Sequence, residues 1–248
     1  MTNQDLRILP CLIRWGLPVA ALLAAGFLLR ALETPAMAPA PWRGDQLAAL
    51  AGQGGVVAGL GGLRSVAAGG FWLRANLAWE HRDPVETAAL LELTVAADER
   101  PVYFWLNGAR MLAYDVPEWL PVTAPAAIRQ QAGERQAQLA LRFLEKGLRW
   151  HGAAAELYVE MANIHLRRRG DLEAAARCYR LAAEQPGAPY YAARIHAELL
   201  RELGRPQAAL DWLRRVLPAL PADDPSARRE VVRARINALE AEIRHTLP

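Results

Sequence analysis

The chain is short of most features that mark a catalytic or disulfide-stapled protein. Its two cysteines are Cys11 and Cys178. One borders an apolar N-terminal run and the other lies deep in a helix-forming region, so nothing in the sequence supports an intramolecular disulfide. The count leaves the redox compartment open. His-Glu-x-x-His, Cys-x-x-Cys, Gly-x-Ser-x-Gly and paired-carboxylate patterns are missing, so the sequence gives no support for catalysis or for a metal. Lysine occurs once, at Lys146, and arginine supplies the rest of the 29 basic residues. The formal net charge of +3 is small for 248 residues and is too weak a field to indicate nucleic acid. Glycines at 52, 54, 55, 59, 61 and 62 fail as a phosphate cradle. No Gly-Lys-Ser/Thr follows them, and Gly59-Leu60-Gly61 lacks the third glycine of a dinucleotide fingerprint. No cofactor is expected.

What the chain has first is a long apolar run. From Trp15 to Leu29 no charge occurs. With its flanks the run covers residues 12–32, about 31 Å as a helix, enough to span a bilayer. Pro18 falls in its first turn, and Arg14 and Arg30 sit where long side chains snorkel to the interface. We therefore expect a short tail (1–11), an uncleaved transmembrane helix (12–32) and a spacer (33–68), Pro/Ala-rich and then Gly-rich. The alternative is a signal peptide cut after Ala38, in Ala36-Met37-Ala38, although Pro39 opposes cleavage. No cysteine follows the run, which excludes a lipoprotein. Arg7, Arg14 and the amino terminus precede the uncharged stretch 15–29, and Arg30 and Arg43 follow it with Glu33 and Asp45 beside them, so the positive-inside tendency favours the N-terminus inside and the large domain in the periplasm. Arginine in place of lysine, with abundant alanine, suggests a GC-rich bacterial genome and hence a single-pass inner-membrane protein.

The remainder is periodic. Gly170 and Gly204 stand 34 residues apart, and Ala175/Ala209, Tyr179/Leu213 and Ala182/Val216 share that offset. Pro189 to Pro221 offers Ala197 and Leu200 in a first helix, Gly204 at the turn, and Ala209, Leu213 and Val216 in a second. Ala155 to Ala188 matches it with Tyr158, Met161, Ala162, Gly170, Ala175, Tyr179 and Ala182, plus one extra residue near Leu166–Arg169. Upstream, Trp72, Trp79, Ala88, Val95 and Pro101 follow the same spacing. Tyr103 to Asp115, with Gly108, reads as a helix whose partner carries Ala140, Leu144 and Gly147, beyond an insertion at 116–133. Asp224-Pro225 starts a last helix with Val232, Ile236, Leu239 and Ile243 at 4-3-4 spacing.

On these residues the stretch resembles the tetratricopeptide repeat (TPR) family. The resemblance implies an all-α, TPR-like right-handed α-solenoid over 69–222, of about four helix pairs, closed by a C-terminal capping helix in 223–248. It also implies that the first helices form a ligand-facing surface. That places Asn163, Arg167, Tyr191, Arg194, Glu198 and Arg201 in a partner-binding groove, where arginine forks suit a peptide backbone or carboxylate. The competing reading is a solvated face whose arginines keep the protein soluble.

Trp119, in the proline-flanked insertion, either anchors a partner or folds back on the repeats. Trp72, Trp79, Phe104 and Trp105 read as core. His165 and His196 occupy inward positions of successive repeats, but a metal site needs a third ligand, and we expect none. Cys178 lies between Arg177 and Arg180 and reads as buried. The expected function is a non-catalytic, membrane-tethered scaffold that binds protein or peptide partners of an envelope complex, such as a secretion, pilus, transport or assembly machine. The alternatives are a secreted periplasmic repeat protein, or a subunit of an envelope enzyme with a site at 116–133.

Overall fold

The computed structural model describes residues 64–152 and 154–246. The expected tail, transmembrane helix, Ala38 and nearly all of the spacer lie outside the described residues. Among the described residues every regular element is helical, and no helix is long and apolar enough to cross a membrane. Contacts divide the chain into two compact units, Met1–Arg100 and Pro101–Pro248.

In the first unit, α1 (Arg64–Glu80) and α2 (Pro84–Ala97) pack on one another. Alanine decides how. Ala68, Ala75 and Ala78 are buried on α1, and the larger Leu90, Leu91 and Val95 are buried on α2. Small residues on one side let bulky ones on the other approach closely. Asp83 stops the turn and starts α2, accepting hydrogen bonds from the Val85 and Glu86 amides at 3.0 and 2.9 Å. Pro84 takes the first helical position, where its missing N–H costs nothing.

At the open end of this hairpin Asp98 and Glu99 are both buried. Ser65 Oγ donates to Asp98 at 2.7 Å, Arg100 Nε donates to it at 2.8 Å, and Arg64 pairs with Glu99. Burial raises the pKa of Asp98, but the hydrogen bonds from Arg100 and Ser65 outweigh it and hold the carboxyl below its usual range. The helix that opens this pair begins by Arg64, ahead of the repeat boundary expected at residue 69.

The second unit contains α3 (Val102–Arg110), α4 (Ala126–His151), α5 (Ala155–Ile164), α6 (Leu172–Ala183), α7 (Tyr190–Glu202), α8 (Pro206–Val216) and α9 (Arg229–Thr246). Each packs on its successor in the chain, and α3 also touches α5. Trp105 of α3 and Phe143 of α4 are almost fully buried, with ring centroids 4.9 Å apart. Gly147 lets them do this. A Cβ there would stand 3.0 Å from the Trp105 ring and 3.2 Å from Leu157, so the backbone of α4 lies directly on the indole. The α7–α9 core gathers Leu210, Trp212, Leu213, Val232, Ile236 and Leu239. Burial of such side chains stabilises by about 1.5–3 kcal/mol each.

The two glycines that carry the 34-residue offset both adopt left-handed backbone, with φ of 63° at Gly170 and 72° at Gly204. They end helices where a side chain would be strained. The extra residue near Leu166–Arg169 is absorbed by widening the end of α5 into a π-turn, His165–Arg169. A second π-turn, Met111–Asp115, extends α3 and leads into a 3-10 turn, Val116–Trp119.

The expected insertion is mostly helical. After the 3-10 turn and the link at 120–125, its remaining residues are the opening turns of α4, which is 26 residues long. Asp224 accepts from the Ser226 amide at 2.8 Å, so it caps a 3-10 turn rather than the last helix. That helix starts at Arg229, after Arg228 with φ of 47°.

Candidate functional site

Glu160, Asn163 and Arg167 recur at spacings of three and four, which places them on one face of α5 and its π-turn. Arg110 and Tyr114 stand in the same relation on α3 and its π-turn. The two faces meet. Together with Asp115 these residues line an open cleft of about 350 Å³ to which both π-turns contribute.

Its floor is a buried carboxylate. Glu160 is 3% exposed, and a charge so buried is tolerated only when paired. Arg110 Nε donates to it at 2.8 Å and the Tyr114 hydroxyl hydrogen-bonds it. Burial first, and then the charge of Glu160, push the Tyr114 phenol well above its ordinary pKa. Tyr114 is therefore a fixed donor at neutral pH. The Tyr179 hydroxyl of α6 donates to Asn163 Oδ1 at 2.7 Å, which turns the Asn163 NH₂ away from that bond.

Three consecutive arginines leave the α5 π-turn in different directions. Arg168 pairs with Glu118 at 3.2 Å, and Arg169 pairs with Glu134 of α4 at 3.0 Å. Arg167 lines the cleft, is exposed, and has no ion pair among the described residues.

Tyr191, Arg194 and Glu198 line a second cleft of about 350 Å³, between α7 and α9, with Leu213, Val232 and Arg235. Its charged groups are engaged by the fold. Glu198 accepts from Arg201 at 2.7 and 3.1 Å and pairs with Arg235 of α9. Arg194 donates to the Ala227 carbonyl at 3.3 Å. Arg194 thus ties α7 to the turn before the last helix, and Glu198 ties it to that helix. Tyr191 and Arg194 also border a wider cleft of about 830 Å³, lined by Tyr190, Trp212, Val216 and Leu220. Arg215 lies 5.4 Å over the Trp212 ring, and the indole N–H donates to the Ala193 carbonyl at 3.0 Å.

The structure therefore joins Asn163 to Arg167, and Tyr191 to Arg194 and Glu198, in separate clefts. Trp119 lines none of these three clefts and is half-buried in its 3-10 turn. The sequence reading omitted Arg110, Tyr114 and Glu160. Their signal was present, because a glutamate on an otherwise apolar helix face needs a cation from a neighbour.

His165 and His196 keep different partners. His165 Nδ1 lies 3.4 Å from Arg169, while His196 Nδ1 lies 2.8 Å from the Ala176 carbonyl and its ring meets Trp212 edge-on. Burial pushes both imidazoles below their usual pKa. Among the described residues no group of acidic, histidine or cysteine side chains is arranged to hold a metal ion. Cys178 is buried, and burial pushes its thiol up to about 11 despite Arg177. It is a core residue with little thiolate at neutral pH.

No protein-family model matches the chain, and no curated protein is similar to it.

Proposed function

We propose that this chain is a membrane-tethered helical-repeat scaffold of TPR type, which binds protein partners through the exposed faces of α5 and α7. Three features support the reading. The 34-residue recurrence coincides with two left-handed helix-ending glycines, Gly170 and Gly204. In the second unit each helix packs on its neighbour along the chain, as stacked repeats do. The apolar run at 12–32 is long enough to serve as the tether.

The observation that carries the proposal is the face formed by Asn163 and Arg167. It is a polar cleft floored by the buried Glu160, which pairs with the exposed Arg110, with an arginine left over for a ligand. An arginine fork in such a cleft suits the polar groups of a partner.

The test is affinity capture from detergent-solubilised native membranes with the tagged full-length chain, beside a form lacking residues 1–40. Recovery of proteins from one envelope complex supports the scaffold. Loss of the membrane fraction by the shorter form alone supports the tether. If the folded chain captures nothing in either form, the reading fails.

A further inference from the structure

Three large apolar side chains share the outer side of α1. Val66, Leu73 and Leu77 are 70%, 68% and 54% exposed. At about 100° per residue they lie, with Gly70, opposite Ala68, Ala75 and Ala78, the residues that α1 buries. A lone exposed leucine needs no explanation, but an apolar stripe along one helix marks a surface that docks on something. The glycines point the same way. Gly69 and Gly70 stand inside the helix, where glycine weakens it relative to alanine. A Cβ at either position would meet nothing within 4 Å, so nothing among the described residues requires the bare backbone. What it offers is close approach by another helix.

The stripe itself says what that helix is. Val66, Gly70, Leu73 and Leu77 are spaced four, three and four, which reads the same in either direction. A two-fold axis across α1, between Phe71 and Trp72, therefore lays the stripe antiparallel on itself. Leu73 of each copy then sits over Gly70 of the other, and Val66 of each meets Leu77 of the other. Large faces small, as interdigitating and self-complementary surfaces require. A parallel pair would set Gly70 on Gly70 and leave the notch empty. Glu80 is exposed on the same side, at the C-terminal end, where the macrodipole of its own helix disfavours a negative charge. Antiparallel pairing brings it beside the N-terminal turn of the other copy's α1.

We propose that α1 is a contact between two copies of this chain, paired antiparallel through Val66, Gly70, Leu73 and Leu77. This goes beyond the scaffold reading and does not depend on it. One helix face is smaller than the roughly 800 Å² per partner of a standard interface, so the dimer is reversible.

The test traps the pair as a disulfide between two full-length chains, co-expressed with different tags and both carrying C11S. Cys178 is buried and stays out of the reaction. V66C in one chain and L77C in the other should link on mild oxidation. Their product should exceed that of V66C with itself or L77C with itself by about tenfold or more, because like positions fall roughly 16 Å apart along the axis. The reaction is run on whichever cell fraction holds the chain, so a failed tether does not affect it. Adding G70L or L73E to both chains should cut the product about tenfold or more. Helicity should stay unchanged, since both positions face solvent. Three results overturn the proposal. The first is a V66C–L77C product no greater than the self-linked products. The second is a product indifferent to G70L and L73E. The third is a pair of cysteines shielded from maleimide labelling that form no product, which would show the face covered by something other than a second copy.

Discussion

The Tyr179 hydroxyl donates to Asn163 Oδ1 across 2.7 Å, tying α6 to the cleft face of α5. Tyr179 is 2% exposed and Asn163 is half-buried, so the bond is partly shielded. Y179F keeps the ring and removes the bond. We expect a loss of about 1–2 kcal/mol in urea unfolding, because an acceptor is left poorly satisfied. Binding at the cleft should weaken as well, since the Asn163 amide becomes free to turn. Unchanged stability would show that the bond has no net worth.

Gly147 lies under Trp105, with too little room for a Cβ. G147V forces the α4 backbone away from the indole and should cost about 1–3 kcal/mol by overpacking. The β-branch adds little to that in a helix. Near-ultraviolet circular dichroism reads the same change as an altered Trp105 environment, and a variant matching wild type in both would contradict the packing described.

How much of this was legible depended on whether a residue's partner lay inside the repeat pattern. Gly170 and Gly204 were readable because a left-handed helix end favours glycine, although Arg82 and Arg228 also take positive φ here. The last helix was readable from Val232, Ile236 and Leu239, which alternate at helical spacing and are all buried. The opening of α4 was not readable. Residues 126–136 are good helix formers but lack an apolar stripe, and they are almost all exposed or half-buried, so periodicity had nothing to register. Arg194 and Arg201 stand at groove positions of the repeat pattern, and the sequence shows no more than that. Their hydrogen bonds go to the Ala227 carbonyl and to Glu198, and a backbone acceptor more than thirty residues away leaves no mark in sequence. The π-turn was half visible: the extra residue showed, but not that widening the helix would aim Arg167 into a cleft.

Stability should fall on acidification through the histidine range. Burial holds His196 neutral in the folded chain, below the ~6.5 of an unfolded imidazole. The unfolded state therefore binds the proton first. The contribution is complete above about pH 6.5 and is lost as pH drops toward the lower folded value. His165 adds to it with the same sign. Urea midpoints between pH 7.5 and 5 should decline, and H196F should decline less. A midpoint that rose toward pH 5 would contradict the burial.

Glu118 joins Arg168 at 3.2 Å, but its carboxylate is 71% exposed. Solvent screens such pairs, so E118Q should change stability by less than about 0.5 kcal/mol. Limited proteolysis of the 120–125 link gives the sharper reading. Cleavage should speed up modestly, because the pair holds the 3-10 turn locally rather than the fold.

The account turns on Arg167 being a ligand-binding group rather than a solvated surface charge. The most direct measurement is quantitative capture of membrane proteins by the tagged wild-type chain and by R167E, from the same solubilised membranes. The account predicts one set of partners enriched by wild type and depleted at least tenfold by R167E, with both chains equally helical. The same partners recovered in equal amounts by both would contradict it.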